Sequence, residues 1–208
     1  IGVGAVIAML AVGVGAQDTI TGSISGIGSN LLFVFRGNQT TDVARIEPLT
    51  MEDAEALLDQ FQAPSIGNVA PVLSGNAKVS YGGESTSTSL TGITGSYSDV
   101  RNYEVTEGEF ISDDQDLGRA SVALIGPDVA DKLFGRRDGL VGETIRINGQ
   151  PFRIIGVLES KGGGSFGSED NVVMVPLSTA QSRLIRRNRG NIDMILVSVL
   201  DPKLMPQA

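Results

Sequence analysis

The sequence predicts an α+β fold, and three observations carry that reading. Asn148-Gly149 is the dipeptide that a two-residue type I′ hairpin requires, and it lies between alternating Ile145, Ile147 and Phe152, Ile154. The stretch "LTMEDAEALLDQF" offers Thr50 as an N-cap with Asp53 three residues on, followed by Ala54, Leu57, Leu58 and Phe61 at helical spacing. Other apolar runs are short and punctuated by glycine, which suits strands and hairpins rather than long helices.

The first sixteen residues, "IGVGAVIAMLAVGVGA", carry no charge, and "QDTITGSISGIGSN" then turns polar. They do not start on a Met and have no basic residue before Arg36, as a signal peptide would. They also fall short of the roughly 20 apolar residues that span a bilayer, unless the span begins upstream. A membrane span, a buried helix and a signal remnant are the three readings, and the density of Gly and Ala favours a span packed on a neighbour. Ile20, Ile24, Ile27 and Leu31 recur at spacings of four, three and four, so a helix is expected from Val3 to Ile27, ending near Gly28. Its stripe would pack on a partner span or on the domain.

"LLFVFRG" (31–37) reads as a strand, and the helix after Thr50 follows. Extended pieces come next, with a hairpin at Gly82-Gly83. From Ser96 the chain is polar and rich in turns, without periodicity. "ASVALIGPDVADKLFG" then reads as strand, turn at Gly126-Pro127 and a helix stopped by Gly135. Beyond the glycine loop "SKGGGSFGSED" come a strand "NVVMVPL", a helix "STAQSRLIRR" capped by Ser178 and Gln181, and a strand "NIDMILVSVL". The shift at Ser96 and its reversal at Asn171 suggest a discontinuous domain, 30–95 joined to 171–208 with 96–170 inserted. Strand 31–36 or 66–74 should then pair with 192–200.

Composition narrows the chemistry. The absence of His removes the commonest general base and zinc ligand, and the absence of Cys removes thiolate chemistry. A net charge of −8 gives no footprint for nucleic acid. Gly162 to Gly167 satisfies both G-x-G-x-x-G and, from Gly163, G-x-S-x-G, but a strand rather than a helix follows and no His is available to a nucleophilic Ser. Asp113, Asp114 and Asp116 lack EF-hand spacing and read as a solvated acidic loop. No phosphate-binding P-loop occurs. No catalytic, cofactor or metal residue is therefore assigned.

Five segments go further. "GIGSNLLFV", "VRNYEVTEGEFI", "VALIGPDVADKLFG", "VGETIRINGQPFRIIGVLESKG" and "VVMVPLSTAQSRL", in this order after the apolar opening, resemble the extracytoplasmic core domain of MacB-type ABC-transporter permeases. The resemblance implies that residues 1–28 end the first span. It implies a β-α-β porter-like part from 30–95 plus 171–208, and an inserted, mostly β, sabre-like part at 96–170. It also implies a cytoplasmic ATP-binding subunit or domain, a second permease copy, a membrane-fusion adaptor, and a place on the outer side of the cytoplasmic membrane. The expected role is transmission of ATP-driven motion to peptide, macrolide or lipoprotein substrates. The alternatives are a membrane-anchored ligand-binding or adhesion module and an anchored hydrolase built on a carboxylate pair such as Asp113 and Asp116.

Overall fold

The computed structural model describes residues 30–35, 48–59, 63–164, 167–185 and 190–200. The expected helix from Val3 to Ile27 lies outside them, as do Ile20, Ile24 and Ile27. Among the described residues no helix is long and apolar enough to cross a membrane.

Strands dominate. β1 (Leu31–Phe35), β2 (Leu49–Thr50) and α1 (Met51–Ala56) lead into β3 (Ile66–Tyr81), a strand of 16 residues, which turns at Gly82-Gly83 into β4 (Glu84–Ile93). Next come α2 (Tyr97–Arg101), β5 (Val105–Gly108), α3 (Asp113–Leu117), β6 (Val122–Ile125) and α4 (Pro127–Phe134). The hairpin β7 (Thr144–Ile147) and β8 (Gln150–Leu158) follows. The remainder is the small ladder β9 (Gly163–Gly164) and β10 (Gly167–Ser168), then β11 (Val172–Pro176), α5 (Leu177–Thr179), a π-helical turn over Ala180–Leu184, β12 (Asn191–Ile192) and β13 (Met194–Val199).

The main sheet runs β1-β13-β3-β4-β11-β6-β8-β5, and β7 pairs with both β3 and β8. Strands β3, β4, β11, β6, β8 and β7 thus form a closed hydrogen-bonded circuit, which leaves them few free edges. On its apolar side Leu73, Val79, Leu90, Phe152 and Val173 pack with Val129, Ala130 and Leu133 of α4. A second cluster lies across the sheet, where Tyr97, Val100 and Tyr103 cover Ala70, Val72, Leu124 and Leu196. One early strand is expected beside the last, and both lie there: Leu31 opposes Ser198 and Ala70 opposes Leu196, with β13 between β1 and β3. The circuit draws on 30–95, 96–170 and 171–208 alike, so no break in hydrogen bonding marks Ser96 or Asn171.

Local signals explain the agreements. Thr50 and Asp53 form a reciprocal capping box, although α1 stops at Ala56, earlier than its apolar spacing suggests. Asn148 (φ 48°) and Gly149 (φ 84°) make the left-handed turn, and Gly135 stops α4 in the left-handed region. Three readings need correction. The "SDDQDLG" segment is helix α3, not a loop, because Ser112 and Gln115 cap it reciprocally. The pieces over 66–81 are one strand, since Gly75 does not break it but leaves room for Ile185, which lies 3.1 Å from where a β-carbon would stand. Ser178 and Gln181 form no capping box: Asp116 takes the Ser178 amide (2.8 Å) and its backbone carbonyl takes the Ser178 hydroxyl, while the Gln181 amide donates to the Asn191 carbonyl (3.4 Å). The expected helix is a three-residue turn and a π-helical turn.

Candidate functional site

Of the four stripe residues only Leu31 is described, and it opens β1 rather than continuing a helix; its side chain is buried in the second cluster. It also marks the corner where the described chain comes in and leaves. The Asn30 amide donates to the Val199 carbonyl (2.8 Å), and the Val199 amide donates back to the Asn30 carbonyl (2.9 Å). The Leu200 amide reaches the Ser65 carbonyl (3.0 Å), and Asn68 donates to the Ser198 hydroxyl (2.9 Å). Gly67 lets the strands close here: a β-carbon would stand 3.2 Å from Leu200 and 3.3 Å from the Ser198 carbonyl. Residues 30 and 200 are therefore held side by side at the start of β3. From there β3 leads away for at most about 50 Å, at ~3.3 Å per residue, to the Gly82-Gly83 turn.

A polar cluster pins the glycine loop farther along. Glu169 accepts from Arg101 (3.0 Å) and from the Tyr103 hydroxyl (3.1 Å). Lys161 donates to the Arg101 carbonyl (2.6 Å) and lies 4.1 Å from the centre of the Tyr103 ring. Asp170, buried, accepts from the amides of Lys161 (2.8 Å) and Gly162 (3.1 Å) and from the Ser160 hydroxyl. Burial, then the Arg101 charge, lowers the Lys161 pKa. Burial raises Tyr97, and burial followed by the charges of Tyr97 and Glu169 raises Tyr103. Tyr81 is raised by its hydrogen bond to Glu143, ahead of burial.

All three tyrosines of the chain thus stay protonated above the ordinary value of 10.0. Their contribution to stability is complete below that pH, where folded and unfolded states hold the same protons. It is lost as pH rises from there through the folded values, because the unfolded chain ionises first. An ultraviolet absorbance titration should show the tyrosinate rise at higher pH in the folded chain than in urea, with Tyr103 the last to ionise. Identical titrations in the folded chain and in urea would contradict the burial of Tyr97 and Tyr103.

The acidic residues weighed for catalysis each accept a backbone amide. Asp113 accepts from the Gly95 amide (3.2 Å) and Asp116 from the Ser178 amide (2.8 Å). Among the described residues no group of three or more His, Cys, Asp or Glu is arranged to hold a metal ion. The sequence alone did not single out the Arg101, Lys161 and Glu169 cluster, because its members are up to 68 residues apart.

The sequence pattern of the MacB-like periplasmic core domain matches residues 1–208, the whole chain. The chain belongs to that family. It is 34 % identical over 212 residues to the macrolide export ATP-binding/permease protein MacB of Bdellovibrio bacteriovorus, covering 100 % of this chain and 32 % of that protein. It is 35 % identical over 185 residues to the pyoverdine export ATP-binding/permease protein PvdT of Pseudomonas syringae pv. tomato, covering 88 % and 28 %. The chain therefore spans about a third of the length of these curated relatives. Among solved structures, the periplasmic region of MacB from Actinobacillus actinomycetemcomitans superposes with a TM-score of 0.70 at 25 % identity, covering 88 % of this chain and 82 % of that one. The extracellular domain of the transporter YknZ from Gram-positive bacteria shares the fold, with a TM-score of 0.70 at 21 % identity over 86 % and 88 %. This MacB-like core domain is thus an extracytoplasmic part of an ABC-transporter permease, and export is the activity named for its relatives.

Proposed function

We propose that this MacB-like core domain relays ATP-driven motion from the membrane outward, so that substrates of peptide, macrolide or lipoprotein type are moved or extruded. The observation that carries this reading is the corner at Asn30 and Val199. A domain inserted between two membrane spans must bring both ends to one place, and here the two ends are hydrogen-bonded to each other while β13 joins them to β3. Movement of either end would pull on the strand that leads to the far turn. Residues 1–28 would supply the end of the first span, with Ile20, Ile24 and Ile27 packing on the partner span or the domain. The 30–95 and 171–208 segments would form the porter-like part, and 96–170 the sabre-like insertion. ATP hydrolysis would belong to a separate cytoplasmic domain or subunit, and a second permease copy and an adaptor protein would complete the assembly. No specific observation favours the anchored adhesion or the hydrolase reading.

The test is a flexible Gly-Ser insertion immediately before Asn30 in the full-length transporter. Hydrolysis of ATP should persist while export is lost, because a slack joint dissipates the stroke. Export at the unmodified rate would refute the relay.

A further inference from the structure

We propose that the outer face of strands β4, β3, β7 and β8 docks an acidic segment of another protein chain, with a cleft beside the Gly82-Gly83 turn seating one of its carboxylates. Cross-strand register defines the face. Lys78 opposes Ser87, Ser80 opposes both Ser85 and Arg146, and Thr144 opposes Arg153. Directly opposed residues point to the same side of a sheet. Lys78, Arg146 and Arg153 therefore share one exposed surface, while the alternate residues Val79, Ile145, Ile147 and Phe152 are buried beneath it.

This face is opposite in sign to the whole. The chain carries −8, yet the outward positions of these four strands hold three cations and no carboxylate. Among the described residues the ion pairs are Arg101 with Glu169 and Arg137 with Asp131, so none of the three cations is neutralised in that way. One N–H of Arg146 is held by the Gly149 carbonyl (3.0 Å), which fixes the guanidinium and leaves its other donors unspent. Between the turn and β7 lies a cleft of about 540 Å3, lined by Lys78 and Arg146 with the hydroxyls of Ser80, Ser85 and Thr144. Small-molecule sites are mostly apolar and enclosed, whereas this one is polar, hydroxyl-rich and open. Such a surface suits an extended chain bearing several carboxylates. The repulsion of a −8 protein for anions would keep such partners off its other faces.

The experiment is fluorescence anisotropy of a labelled decaglutamate peptide titrated with the full chain. Saturable binding is expected, weaker at high salt, and weakened about tenfold or more in the triple variant Lys78→Ser, Arg146→Ser, Arg153→Ser, since each exposed pair contributes a modest share. The charge-matched control Arg119→Ser, Lys132→Ser, Arg137→Ser should bind as the parent does. Circular dichroism and thermal midpoint report whether each variant is folded, and single substitutions replace the triple if it is not. Equal loss in both triples, or no saturable binding, overturns the proposal. So does binding of inorganic phosphate, dependent on the same three cations, when the peptide does not bind, because the face would then be a small-anion site.

Discussion

Gly126→Ala should prevent the chain from folding stably, at a cost above about 4 kcal/mol. A β-carbon at Gly126 would stand 2.2 Å from the Asp170 carbonyl oxygen and 2.9 Å from its carbon, both backbone atoms that cannot swing aside. The backbone there is already committed. Gly126 donates to the Val172 carbonyl (2.8 Å), Asp128 donates to the Asp170 carbonyl (3.2 Å), and the Gly126 carbonyl accepts from Val129 and Ala130 (both 3.1 Å). Relieving the clash would break the joint between β6, α4 and β11 and open the circuit. Gly135→Ala is the control, since its β-carbon would meet nothing within 4 Å and only the left-handed φ of 65° is strained, costing about 1 kcal/mol. Urea denaturation of both variants measures the contrast, and equal midpoints would refute the steric argument.

Glu169→Leu is expected to cost about 3 kcal/mol, because it leaves the Arg101 guanidinium without its anion where only 12 % of that side chain is exposed. The Tyr103 hydroxyl loses its acceptor at the same time, and Lys161 and Arg101 then face each other with no carboxylate between them. Removing both partners is the discriminating step. Arg101→Leu with Glu169→Leu should recover part of the loss, since no buried charge is left unpaired. Additive losses in the denaturation midpoints would mean that the ion pair is incidental.

What the sequence made legible was local. Asn148-Gly149, the Thr50 and Asp53 box and the Gly135 stop each act within a few residues, and each appears in the structure. The Ser178 and Gln181 signal was equally local but lost to Asp116, 62 residues away, whose carboxylate and carbonyl outcompete an in-helix cap. The Ser112 and Gln115 box is equally local, but the three aspartates beside it read as a solvated acidic loop rather than a helix start. Closure of the circuit by β7 was out of reach, since strand periodicity reveals which face is buried but not which strand lies beside it. The site followed the same pattern. Leu31 fits a helical spacing with Ile27, yet the "LLFVF" run pairs with β13, and that pairing made the corner.

The corner also has a consequence for how the chain acquires its structure. The Asn30 and Val199 contact closes a loop of 169 residues, which costs about 4.5 kcal/mol of chain entropy, whereas β3 and β4 meet across a two-residue turn. On a chain delivered from its N-terminus, β1 must wait for almost all the rest to arrive before its partner β13 exists. The hairpin should thus nucleate and the corner should form last. Pulsed hydrogen exchange during refolding should protect amides of 77–88 before those of 31–35, and the reverse order would be incompatible with this sequence of events. The joint on which force would act is therefore assembled only after the body it would move.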